Sequence, residues 1–210
     1  MNKKKILFVV VDFFKGGAER FAYEIDCALD KNNYEITILC LGNKINNNRL
    51  WERYYDKKHN ELGTKIYYFD DYLYGRKNYL ISKFIKKTFG IKTTSYFKKN
   101  KLVDFISQYD IVHWMGEYTY LHNLPETIVK RSIINSMSAK FQNPDLYKKF
   151  NFNYKYNFLS GFSKNEFEVE YSQFKSINHW FFPLVFKINN DQRDWNYVDS
   201  KIKKIGIFTR

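Results

Sequence analysis

The opening of the chain restricts its fold more than any other stretch. An unbroken apolar run, Ile6 to Val11, follows three lysines, meets Asp12, and passes through Gly16-Gly17 into a helical pattern. A run of this kind, bounded by lysines and turn residues, predicts a parallel strand covered on both faces. Phe21, Ala22, Ile25, Ala28 and Leu29 then recur at helical spacing, with Glu19, Arg20, Glu24 and Asp26 on the other side, which predicts an amphipathic helix. A strand that ends in a double-glycine turn and feeds a helix leaves backbone N–H groups bare at the helix N-terminus, where an anionic phosphate is stabilised. Gly16 and Gly17 can take positive φ or admit a close ligand, and paired glycines also make plain tight turns. The fragment predicts the start of an α/β nucleotide-handling domain.

The rest of the chain alternates as a doubly wound sheet requires. Glu35–Leu41, Lys65–Phe69, Asp110–Trp114, Ser132–Asn135, Tyr156–Ser160 and Ile177–Phe181 read as further strands, giving seven in all. Helices are expected at Tyr79–Thr88, Lys98–Ser107, Pro125–Lys130, Pro144–Phe150 and Ser163–Ser172. The expectation is a Rossmann-like, mainly parallel sheet with helices on both faces, its binding crevice beyond the carboxyl ends of the strands. Residues 1–188 read as this domain and 189–203 as a polar linker, while 204–210 read as the first strand of a second domain.

Composition narrows the class. At 210 residues with 44% hydrophobic and 20% aromatic content, the chain has ample material for a core and is not a disordered segment. Cys27 and Cys40 have no metal-type spacing and read as small buried side chains in a reducing compartment. The basic start resembles a secretion signal only superficially, because Asp12 interrupts the apolar run and no small-residue cleavage pattern follows. No segment approaches the roughly 20 apolar residues of a membrane span, so a cytoplasmic protein is expected.

The net charge of +13 is unevenly spread. Between Arg76 and Lys101 stand nine basic residues, among them Lys83, Lys86, Lys87, Lys92, Lys98 and Lys99, with no acidic residue and with interleaved aromatics. Such a segment suits either an anionic membrane face, at roughly 1 kcal/mol per nearby cation, or simply a solvated basic surface. Peripheral contact with the membrane is the expectation.

Taken in order, Ile6–Val11, Gly16-Gly17-Ala18-Glu19-Arg20, Asp110-Ile111-Val112-His113 with Gly116-Glu117-Tyr118, Ser160 to Ser163, and the closing Ile205-Gly206-Ile207-Phe208-Thr209-Arg210 resemble the amino-terminal half of a family 4 glycosyltransferase. The resemblance implies one half of a GT-B fold, holding the acceptor, with a nucleotide sugar held mainly by a second domain, and retaining, metal-independent transfer without a cofactor. It implies a nucleotide-sugar donor and a glycan or lipid-linked acceptor in surface polysaccharide or glycolipid synthesis. By position, Gly16, Gly17 and Arg210 match donor-phosphate contacts, and Glu117 and Tyr118 match acceptor-lining positions. A departing diphosphate accumulates negative charge, which preorganised N–H groups and a guanidinium stabilise.

The sequence departs from the family pattern at three places. Met115 stands where a second histidine is common, Asn135-Ser136 where a histidine ends the fifth strand, and Thr209 where a glycine is usual. The family's glutamate pair falls beyond residue 210, so the chain alone is expected not to transfer sugar efficiently. No residue is assigned as catalyst; His113, Asn135 and Ser136 are the candidates, and a histidine at a strand end is more often a packing residue. His59, His122 and His179 have no metal-ligand spacing. Ser160-Gly161-Phe162-Ser163 lacks a nucleophile elbow.

Two other classes compete with this reading. A nicotinamide dehydrogenase would need G-x-G-x-x-G and a carboxylate ending the second strand, where Leu41-Gly42-Asn43-Lys44 stands. A basic nucleic-acid-binding α/β domain without enzymatic activity would account for the charge and the aromatics, but it predicts no glycine phosphate turn, and no nucleic-acid partner is expected.

Overall fold

The computed structural model describes residues 3–42, 53–69, 87, 101–116, 124–136, 154–170 and 179–181. They form a seven-stranded sheet in the order β3-β2-β1-β4-β5-β6-β7, every neighbouring pair parallel. The strands are β1 (Lys4–Val10), β2 (Tyr34–Cys40), β3 (Lys65–Tyr68), β4 (Ile111–Trp114), β5 (Ser132–Ser136), β6 (Lys155–Phe158) and β7 (His179–Phe181). The helices are α1 (Gly17–Ala28), α2 (Tyr55–Glu61), α3 (Glu126–Val129) and α4 (Gly161–Glu170), with a further helical stretch at 101–106. This is the Rossmann-like, doubly wound architecture that the alternation predicts.

Alternation along the buried strands divides the core in two. Ile6, Phe8 and Val10 of β1 join Ile36, Ile38 and Cys40 of β2 under Phe21 and Ala22 of α1. Leu7, Val9, Leu39, Val112, Trp114 and Ile134 face the other way, toward Leu102, Phe105 and Ile106, α3 and Phe167 of α4. Both faces of β1 are therefore dry. Each fully buried Leu, Val or Phe contributes about 1.5–3 kcal/mol relative to exposure. Trp114 keeps its indole satisfied by donating to Ser132 Oγ at 3.2 Å, and that hydroxyl donates to the Ile128 carbonyl at 2.8 Å.

Several expectations change. Cys40 is buried, its thiol pushed up to about 12 by burial, but Cys27 is exposed on α1. Ala28 is exposed as well. Asp26, placed by periodicity on the polar side, is fully buried, because α2 covers that flank of α1. Helix α2 lies outside every helix expected from the sequence.

The helix expected at Tyr79–Thr88 has one described residue, Lys87, which is helical and exposed. The helix expected at Pro144–Phe150, the linker and the strand at 204–210 lie outside the described residues. Among the described residues no helix is long and apolar enough to cross a membrane.

Candidate functional site

The strand order reverses between β1 and β4, since the chain builds outward from β1 through β2 to β3 and then returns to add β4, β5, β6 and β7 on the other side. Crevices for ligands open at such a switch point, beyond the carboxyl ends of the strands. The segments flanking it are the β1–α1 loop, residues 11–16, and the turn after β4, where Gly116 has φ +149.

The β1–α1 loop is braced on one side. Arg53 donates through Nε to Asp12 Oδ1 at 2.7 Å in a mostly buried ion pair, and its guanidinium lies 5.1 Å from the centre of the Tyr68 ring. The Phe13 carbonyl accepts from Tyr54 N at 2.8 Å and Tyr55 N at 3.1 Å. Gly42 lets this bracing close up: a Cβ there would stand 2.9 Å from the Val11 carbonyl oxygen and 3.1 Å from Asp12 Oδ2.

Gly16 is the N-cap of α1 with φ −104, and Gly17 is the first helical residue. Neither uses positive φ; among the described residues that property belongs to Gly63 and Gly116. What the pair supplies is space. Among the described residues, its own helix backbone and chain neighbours aside, no atom lies within 4 Å of a Cβ built on Gly17, whereas one on Gly16 would stand 2.2 Å from Glu19 Oε2. The Glu19 carboxylate therefore folds back over the first turn, and burial, with Asp12 adding to it, raises its pKa against the opposing pull of its own backbone N–H. The helix end is open on its Gly17 side and carries the chain's own anion on its Gly16 side.

His113 does not open into the crevice. Its ring meets Phe8 edge-on at 5.7 Å and Phe21 at 6.4 Å, and Nε2 is buried without a hydrogen-bond partner among the described residues. Burial lowers its pKa to about 4, with the Asn135 side chain opposing the drop, so it is neutral at physiological pH. Asn135 is fully buried, donating Nδ2 to Met115 Sδ at 3.1 Å and accepting from Asn157 Nδ2 at 2.8 Å. Ser136 is buried one residue further along β5. Ser160 caps α4 by accepting from the Ser163 N–H at 3.0 Å, a structural role for that serine pair. Glu117, Tyr118, Arg210, Lys83, Lys86, Lys92, Lys98 and Lys99 lie outside the described residues.

Two arrangements escaped the sequence reading. One is the pairing of Asn135 with Asn157, which are directly opposite in the β5–β6 register. The other is a buried cluster joining α1 to α2. Asp26 is bonded to His59 Nδ1 at 2.6 Å, to Thr64 Oγ1 at 2.7 Å and to the Lys31 ammonium. Burial pushes Asp26 upward, but the bonds from His59, Lys31 and Thr64 outweigh it and hold the carboxyl below its ordinary value. Spacing of 33 residues between Asp26 and His59 has no local pattern by which to find it. Among the described residues no group of three or more His, Cys, Asp or Glu side chains could hold a metal ion.

No protein-family model matches the chain, and no curated protein does. Among solved structures it is similar to Anabaena Alr3699/HepE in complex with UDP and glucose, at 12% identity and a TM-score of 0.48 over 89% of this chain and 46% of that one. It is also similar to an alpha-glucosyltransferase in complex with UDP-glucose and DNA containing an abasic site, at 11% identity and a TM-score of 0.44 over 88% of this chain and 43% of that one. The chain spans less than half the length of either.

Proposed function

We propose that this chain is the acceptor-side half of a GT-B-like glycosyltransferase that takes a nucleotide-sugar donor. The observation that carries the reading is the open Gly17 side of the α1 N-terminus, set at the switch point between β1 and β4. N–H groups fixed there stabilise the charge that builds on a departing diphosphate and need no reorganisation as it forms. Arg210 would add a guanidinium, and Glu117 and Tyr118 would line the acceptor side. Retaining, metal-independent transfer to a glycan or lipid-linked acceptor, in surface polysaccharide or glycolipid synthesis, completes the proposal. The basic aromatic segment from Arg76 to Lys101 would hold the protein, in the cytoplasm, against an anionic membrane surface.

The test is titration of the 15N-labelled chain with UDP-glucose, alongside Gly17→Val. The Gly16, Gly17 and Ala18 amides of the wild type should shift. Gly17→Val should fold, since its side chain meets open space, and lose the response. Silence at these amides, combined with salt-sensitive binding of single-stranded RNA, would replace the transferase reading with the nucleic-acid one.

A further inference from the structure

The α1-facing side of the sheet carries a polar row that the described residues satisfy only in part. His113, Asn135 and Asn157 lie on β4, β5 and β6, on the side of the sheet that also bears Phe8 and Val10. Asn135 and Asn157 form a register pair near the carboxyl ends of their strands, joined by one amide–amide hydrogen bond of 2.8 Å. Asn157 is 6% exposed, and its Oδ1 has no partner among the described residues. His113 Nε2 is a second buried atom without a partner among the described residues. Reversing both amides would only exchange an orphaned oxygen for an orphaned nitrogen. Asn135's other contacts are the His113 side chain and a thioether, a poor acceptor. A buried amide left half-satisfied costs about as much as a lost hydrogen bond, so such a row is retained only where something completes it.

We infer that Asn157, through its pairing with Asn135, is a specificity-determining residue that hydrogen-bonds a hydroxyl group of a neutral sugar ring. This rests on the transferase reading, and it adds a residue that the family resemblance does not supply. The chemistry selects the ligand class. The row carries amides and an imidazole that burial keeps neutral at physiological pH, so it offers paired donors and acceptors, as hydroxyls require, and no cation for a phosphate or carboxylate. Strands lie about 4.8 Å apart, which puts β6 three strands, on the order of 14 Å, from β1. Phosphate at the α1 N-terminus and hydroxyls at Asn157 are therefore separate functions of one crevice.

The experiment follows the side-chain NH2 resonances of Asn135 and Asn157 in the 15N-labelled chain, with UDP, UDP-glucose and maltotriose as probes. A shift with UDP-glucose but not UDP assigns the row to the donor sugar, and a shift with maltotriose assigns it to an acceptor sugar; either supports the inference. Asn157→Leu, close in volume, should then weaken binding of the responding probe by about fivefold to tenfold, the worth of one hydrogen bond, and leave UDP unaffected. Side-chain resonances that ignore all three probes while the Gly16 and Gly17 amides respond would make the row a purely structural pair closed by water, overturning the inference and sparing the transferase reading. Silence at both places overturns both.

Discussion

His113 makes stability depend on pH in a way that can be worked through. In the unfolded chain its imidazole titrates near 6.5, and in the fold it titrates at about 4 because burial disfavours the imidazolium. As pH falls below 6.5 the unfolded state takes up the proton first, so the folded state loses ground until the lower value is reached. At roughly 1.4 kcal/mol per pH unit the drop is worth about 3 kcal/mol between pH 7 and pH 4, an upper value because the residue retains some solvent exposure. Carboxylates titrate in the same window, and comparison with His113→Gln removes their contribution. Urea unfolding of both proteins at intervals from pH 7.5 to pH 4 should show the wild type losing about 3 kcal/mol more than the variant, with similar m-values. Two parallel stability curves would mean that the ring sits in water or pairs with a group that accepts its charge. The packing assignment of His113 against Phe8 and Phe21 would then fall.

Three further outcomes follow from the geometry. Asp26→Asn removes the charge that His59, Thr64 and Lys31 serve, and should destabilise the fold by about 3 kcal/mol at pH 7. Because the Asp26 carboxyl is held below 3.8, the deficit should persist to pH 5 and close only below about pH 4; a gap that closes near pH 6 would refute the assignment. Gly42→Ala drives a Cβ to 2.9 Å from the Val11 carbonyl oxygen and should cost about 1–3 kcal/mol by thermal melting, whereas an unchanged Tm would show that the brace yields freely. Glu19→Gln removes the resident anion from the α1 N-terminus and should raise affinity for UDP severalfold by calorimetry, while a decrease would show that the carboxylate supports the ligand rather than competing with it.

What the sequence disclosed and what it withheld separate along a physical line. Ile6–Val11 and Glu35–Leu41 declare themselves because a strand dry on both faces needs an unbroken apolar run, and the β1 and β2 found differ from these spans by a residue or two at their ends. That the sheet is parallel follows from alternation and crossover handedness, which are properties of neighbours in sequence, whereas the strand order is set by tertiary packing. Helix α2 hides because Tyr55–Glu61 has almost no apolar stripe. It is held by main-chain bonds from Tyr54 and Tyr55 to the Phe13 carbonyl and by His59 reaching Asp26, and partners 33 or more residues apart leave no periodic trace. The same contact inverts the helical-wheel reading of Asp26, since a carboxylate on the polar side of α1 becomes interior once α2 brings it His59, with Thr64 beyond α2 and Lys31 beyond α1 completing its partners.

The candidate site divides in the same way. Gly16-Gly17 is visible as a turn, and of the two reasons for glycine only the space applies: the backbone there is ordinary, and the position of Glu19 reveals that one glycine yields to a carboxylate and the other to open space among the described residues. A single sequence records which residues can approach closely; what approaches is decided by side chains several bonds away. Asn157 makes the point from the other side. Within Tyr156-Asn157-Phe158 it reads as an unfavourable residue in a buried strand, and only the register that sets it opposite Asn135 turns that local mismatch into half of a polar pair. Local preference fails where a tertiary partner, or a ligand, supplies what the segment lacks.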